Sequence, residues 1–63
     1  MNKLIARHET QHDSGKGWTR LERHLDDGCA PHVLCMWQPV ADHKAAQRYA
    51  RQNGAELVTV YPT

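Results

Sequence analysis

The sequence contains few of the features that stabilise very small proteins. Its 63 residues include no phenylalanine and only two cysteines, Cys29 and Cys35. Two cysteines exclude a scaffold of several disulfides and are typical of reduced, buried thiols in a cytosolic protein, although an oxidising compartment would allow them to pair. A chain of this length predicts a single domain, residues 1–63, with a thin hydrophobic core.

The sequence also lacks a strong net charge and a long apolar run. Eight Lys and Arg residues balance seven Asp and Glu residues, which disfavours a strong nonspecific nucleic-acid binder and an acidic DNA mimic. No segment approaches the roughly 20 apolar residues of a membrane helix, and the apolar stretch after Met1 is too short for a signal peptide. We therefore expect a soluble, cytoplasmic protein with no membrane partner.

The final third of the chain predicts a helix followed by a strand. Pro39 ends the preceding segment, and Asp42 can cap the helix. The helix carries an apolar stripe with i, i+3, i+4 spacing, formed by Ala45, Ala46, Tyr49 and Ala50. Asn53-Gly54 supplies a left-handed stop, and residues 56–61 are β-branched and aromatic, as in strands. A face rich in alanine allows this helix to lie close to a sheet.

The first two thirds predict a β-meander. Its strands are residues 3–11, 18–25 and 32–38, the last apolar enough to be central, and its turns are 13–17 and 26–28. The resulting fold is α+β: a small antiparallel sheet in β-β-β-α-β order with one helix packed on one face. Residues 18–25 also fit a helix with a Thr19–Glu22 capping box, but Asp26 and Asp27 at its negative end disfavour that alternative.

The motif HETQH at residues 8–12 matches the zinc-binding pattern of metalloproteases. That pattern requires a helix, which brings two imidazoles to one metal and leaves Glu9 as the general base. On a strand His8 and His12 would be about 13 Å apart, too far for one zinc ion. The flanking residues favour a strand, so we expect neither a zinc hydrolase nor any other enzyme, and no cofactor.

A structural metal site remains an alternative. Cys29, His32 and Cys35 are three zinc-competent residues close in sequence, and a histidine elsewhere could complete a tetrahedron. The spacing is not that of a zinc knuckle, and on a strand His32 would point away from Cys35. A zinc-stabilised protein is therefore a weaker alternative than exposed histidines with buried cysteines.

Arginine and tryptophan are the residues best suited to a binding surface. Lys44, Arg48 and Arg51 have i, i+4, i+7 spacing and line one helix face. Trp and Arg are enriched at protein interfaces. The candidate interface residues are Trp18, Arg20, Arg23, Lys44, Arg48 and Arg51. The same basic stripe would suit a nucleic-acid backbone, and the uncovered face of the sheet would suit a homodimer.

Residues 41–60, ADHKAAQRYARQNGAELVTV, resemble the strand–helix–strand end of small proteins encoded by phages and mobile elements, including some type I anti-CRISPR inhibitors. The resemblance implies a non-enzymatic inhibitor that occludes a site on a host defence complex. It carries no functional residue over to this chain. We expect a protein-binding module of this inhibitor type, with a nucleic-acid-binding accessory protein as the alternative.

Overall fold

The fold is a five-stranded mixed sheet with one helix on one face. The computed structural model describes residues 3–25, 28 and 30–61. The elements in chain order are β1 (Lys3–Thr10), β2 (Gly17–His24), β3 (His32–Val33), β4 (Gln38–Val40), α1 (His43–Gln52) and β5 (Glu56–Val60). This confirms the α+β class, the single helix on one face, and the strand rather than the helix at residues 18–25.

The sheet has β1 and β2 at its centre. Its order is β3-β2-β1-β5, and β4 also pairs with β2. All pairs are antiparallel except β1 with β5, which is parallel. The prediction of a purely antiparallel sheet is therefore wrong for β5. The cause is the connection through α1. β4 runs parallel to β1, and the helix carries the chain back to the end of the sheet at which β4 began. β5 therefore starts at that end and also runs parallel to β1.

The predicted third strand, residues 32–38, was wrong in two respects. It lies at the edge rather than the centre, and it is broken into β3 and β4. Val33 pairs with Glu22 and Gln38 pairs with Thr19, so residues 34–37 lie opposite only residues 20 and 21 of β2. The two extra residues cannot enter the ladder and bulge out of it.

Pro39 does not end the segment before the helix, as the sequence had predicted, but lies inside β4 opposite Trp18. This position is compatible with proline because β4 is an edge strand, where one side needs no backbone donor. The predicted hairpin at 26–28 lies partly outside the described residues. Within it, Gly28 has a φ of 80°.

The helix follows the sequence prediction closely. The Asp42 side chain accepts a hydrogen bond from the backbone N–H of Ala45 at 2.8 Å, and Gly54 has the left-handed φ of 62° that ends the helix. Ala46 and Ala50 are buried against the sheet. Together with Ala6 and Leu21 they form a small core, against which Cys35, Tyr49, Ala55 and Leu57 pack.

Candidate binding surfaces

The helix covers one face of the sheet, and no helix among the described residues covers the other face. Side chains alternate between the faces of a strand, so the register assigns each residue to one side. The uncovered side, here called the open face, carries Lys3, Ile5, Arg7 and Glu9 from β1, Trp18, Arg20, Glu22 and His24 from β2, and Glu56, Val58 and Val60 from β5.

Trp18 is the most prominent apolar group of the open face. Its side chain is 52% exposed, although a tryptophan near an element end is more often part of a core. Nearby on the same face, the Arg20 guanidinium lies 4.6 Å from the ring centroid of Trp37, which is a cation–π contact. Trp37 comes from the bulged segment 34–37 and is half-buried. Two indoles and an arginine thus lie on this face.

Three side chains of β2 form an ionic cluster on this face. The Arg20 Nε donates to Glu22 Oε2 at 2.6 Å, and His24 Nε2 lies 2.9 Å from Glu22 Oε1. Glu22 is only 1% exposed. Burial raises its pKa, but the hydrogen bonds from His24 and Arg20 and the charges of Arg20 and Arg7 outweigh burial and lower the pKa below its ordinary value. Glu22 is therefore held as a buried carboxylate.

The remaining charges of the open face are paired as well. Arg7 Nε donates to Glu9 Oε1 at 3.1 Å, and Lys3 Nζ lies 2.8 Å from Glu56 Oε2. Arg7 lies directly opposite Arg20 across the β1–β2 pair, so each arginine needs its own carboxylate to offset repulsion. If histidine is left out of the count, the open face carries three positive and three negative side chains, and their charges cancel.

The outer surface of α1 is different. At about 100° per residue, Lys44, Arg48 and Arg51 lie on the side of the helix opposite Ala46 and Ala50 and point away from the sheet. These three residues, with Gln47, line a shallow depression. Among residues 3–25, 28 and 30–61, no carboxylate comes within 4 Å of the three cations. We call this the basic helix surface.

The six predicted interface residues therefore do not form one surface. Trp18 and Arg20 lie on the open face, whereas Lys44, Arg48 and Arg51 lie on the basic helix surface. Arg23 is exposed but lies on the helix side of the sheet, because it is an odd number of residues from Arg20 on the same strand. A single binding surface therefore cannot include both Arg20 and Arg23.

HETQH does not form a helix. It spans the end of β1 and the turn that follows, so His8 and His12 do not share a helix face. His8 lies in β1 and is fully buried, with Nε2 donating to the carbonyl oxygen of Gly15 at 2.8 Å. His12 lies beyond the end of β1 and is exposed. The His8 ring also meets His43 edge-on at 5.4 Å. His8 thus ties the loop between β1 and β2 to the first turn of α1.

The glycine at position 15 is required by this packing. Its φ is 88°, and a Cβ there would lie 2.4 Å from the backbone nitrogen of His43. Thr10 supports the same loop, since its Oγ1 donates to the carbonyl oxygen of Lys16 at 2.8 Å. The loop between β1 and β2 is thus packed against the start of α1.

The residues of the proposed zinc alternative are only partly described. His32 is exposed in β3, and Cys35 is a half-buried free thiol packed against the core. Cys29 lies outside the described residues. Within the described part of the chain, no three His, Cys, Asp or Glu side chains are grouped as metal ligands.

Comparison with protein-family models, curated proteins and solved structures finds no match. Among the described residues, no helix is long and apolar enough to cross a membrane. The likeness to type I anti-CRISPR inhibitors therefore stays a prediction, and the function is inferred from the geometry of the two surfaces.

Proposed function

We propose that this protein is a non-enzymatic binding protein that docks its open face against a folded protein partner and occludes the surface it covers. The observation that supports this most is Trp18, which is half-exposed on the open face two residues from Arg20, the arginine stacked on Trp37. Tryptophan and arginine are enriched among the few residues that dominate the energetics of protein interfaces.

The charge balance favours a protein over a nucleic acid as the partner. Glu9, Glu22 and Glu56 lie among the cations of the open face and would repel phosphates. Charges already paired within the face need not find new partners when water is removed, which lowers the desolvation cost of docking. The resemblance of residues 41–60 to anti-CRISPR inhibitors suggests a subunit of a host defence complex as this partner.

The test is affinity capture from nuclease-treated bacterial lysate with three baits: the wild type, Trp18→Ala, and a control with Lys44, Arg48 and Arg51 all changed to Gln. We expect a stoichiometric protein that the wild type and the control retain and Trp18→Ala loses. Retention by Trp18→Ala, or loss with the control, would contradict docking through the open face.

A second function is favoured by the cations of α1, which have no carboxylate within 4 Å among the described residues. A nucleic-acid backbone could lie along the basic helix surface, and neutralising three phosphates would release their counterions. Log K would then fall with log salt with a slope of about −2 to −3. Titration of labelled DNA and RNA at several salt concentrations tests this, with the triple Gln variant as control. A slope near zero, or equal binding by the control, rules it out.

A further inference from the structure

The two edges of the sheet are protected to different degrees. One edge is formed by β3 and β4, which have two and three residues, are separated by a bulge and contain Pro39. Short strands, bulges and proline are the devices that prevent edge-to-edge pairing. This edge is therefore a poor template for another strand.

The β5 edge has none of these devices. β5 is a continuous five-residue strand that pairs on one side with β1 and, among the described residues, with no strand on the other side. Residues 57–60 are uncharged and mostly β-branched. The one charge, on Glu56, is already paired with Lys3. Such an edge presents free backbone donors and acceptors to any strand of matching length.

We propose that the β5 edge pairs antiparallel with the β5 edge of a second copy of this chain, about a twofold axis at Val58. This register pairs all five residues: Val58 with its own symmetry mate, Leu57 with Thr59, and Glu56 with Val60. The two Glu56 carboxylates lie at opposite ends, about 13 Å apart along the strands. This register therefore uses the whole strand and brings no like charges together.

The surroundings of β5 accommodate the second copy. A twofold axis perpendicular to the sheet places both open faces on one side and both helices on the other. Because α1 packs over β1 and β5, the two helix axes would lie about 10 Å apart, a normal helix-packing distance. The basic helix surfaces point away from the sheet and so do not face each other. Val58, 38% exposed, would lie against its mate.

Sedimentation velocity over a concentration series tests the proposal. The wild type is expected to form a species of twice the 7.2 kDa chain mass. Val58→Lys places like charges directly opposite each other and should raise the dimer dissociation constant by at least about tenfold. The matched control is Val33→Lys, on an exposed valine of the other edge, which should leave the dimer intact. Circular dichroism verifies that both variants fold.

Crosslinking provides a second measurement that needs no disruptive charge. With Cys29 and Cys35 changed to Ser, Val58→Cys should form an interchain disulfide under mild oxidation, since directly opposed Cβ atoms lie about 5 Å apart. Val33→Cys should not. A monomeric wild type, a dimer insensitive to Val58→Lys, or crosslinking at Val33 but not at Val58 would each overturn the proposal.

Discussion

The open face and the basic helix surface contain similar numbers of cations, but the cations of the open face are paired with carboxylates and those of the helix surface are not, among the described residues. On the open face, Arg20 is held by a buried carboxylate and a tryptophan ring, and its neighbours are paired too. On α1, Lys44 and Arg48 extend into solvent without a carboxylate among the described residues. The first arrangement holds side chains in hydrogen-bonded positions and suits shape-specific docking. The second leaves exposed charges without a described carboxylate partner and suits weak, salt-sensitive attraction.

Removing the buried carboxylate should have the largest effect. Glu22→Gln removes the negative charge and one of the two acceptor oxygens, so Arg20 and His24 can no longer both donate to this side chain. We expect a loss of about 3 kcal/mol in the free energy of unfolding. Glu9→Gln is the matched control, because its partner Arg7 is more exposed, and it should cost under about 1 kcal/mol. Urea denaturation measures both; equal losses would show that the buried cluster is not special.

Substitutions at Leu21 and Trp18 compare a core residue with a surface residue of the same strand, β2. Leu21→Ala removes a buried side chain of the helix-covered face and should cost roughly 2–3 kcal/mol. Trp18→Ala should cost less than about 1 kcal/mol, because half of the ring is already in water. Thermal or urea unfolding of the two variants checks this. A larger loss of stability for Trp18→Ala than for Leu21→Ala would show that the indole ring packs within the fold and is not available for a partner.

Acid should lower the free energy of unfolding by protonating Glu22. The pKa of the native carboxyl is lowered, so its stabilising contribution is complete above the pKa of an unfolded glutamate, about 4.3, and is lost as the pH falls through the lower native value. The stability difference between the wild type and Glu22→Gln should therefore shrink as pH drops below about 4.3. Urea melts at a series of pH values give this difference; a constant gap contradicts the assignment.

Neutralising the basic helix surface should have the smallest effect on stability. Changing Lys44, Arg48 and Arg51 together to Gln removes exposed charges with no carboxylate in reach among the described residues, so unfolding should shift by less than about 0.5 kcal/mol. A clear loss of stability would mean that these side chains support the fold. That result would reduce the contrast between the two surfaces.

Local signals in the sequence were sufficient to predict the helix. Asp42 and Asn53-Gly54 set its ends, and Ala46 and Ala50 set its buried face, all within a few residues of one another. The break in the third strand was not predictable in this way. It depends on the register against β2, which sends Cys35 toward the core and Trp37 onto Arg20 on the opposite face. The parallel pairing of β5 is likewise a consequence of long-range topology.

The binding surface was only partly predictable. Trp18 and Arg20 were predicted as interface candidates from their residue types, and they share the open face, but the exposure of Trp18 depends on which face the helix covers. Alternation along β2 could have shown that Arg20, Glu22 and His24 share a face and that Arg23 does not. The burial of Glu22 has no such signal, since it arises from side chains on neighbouring strands.

The central claim is that the open face, not the basic helix surface, binds the partner. The most direct measurement is the affinity of the captured partner for the wild type, for Trp18→Ala and for the triple Gln variant at one salt concentration. We predict that Trp18→Ala weakens binding by about 30-fold or more, as expected for a central aromatic contact, and that the triple variant changes it less than about threefold. The reverse order would contradict the account and assign binding to the helix.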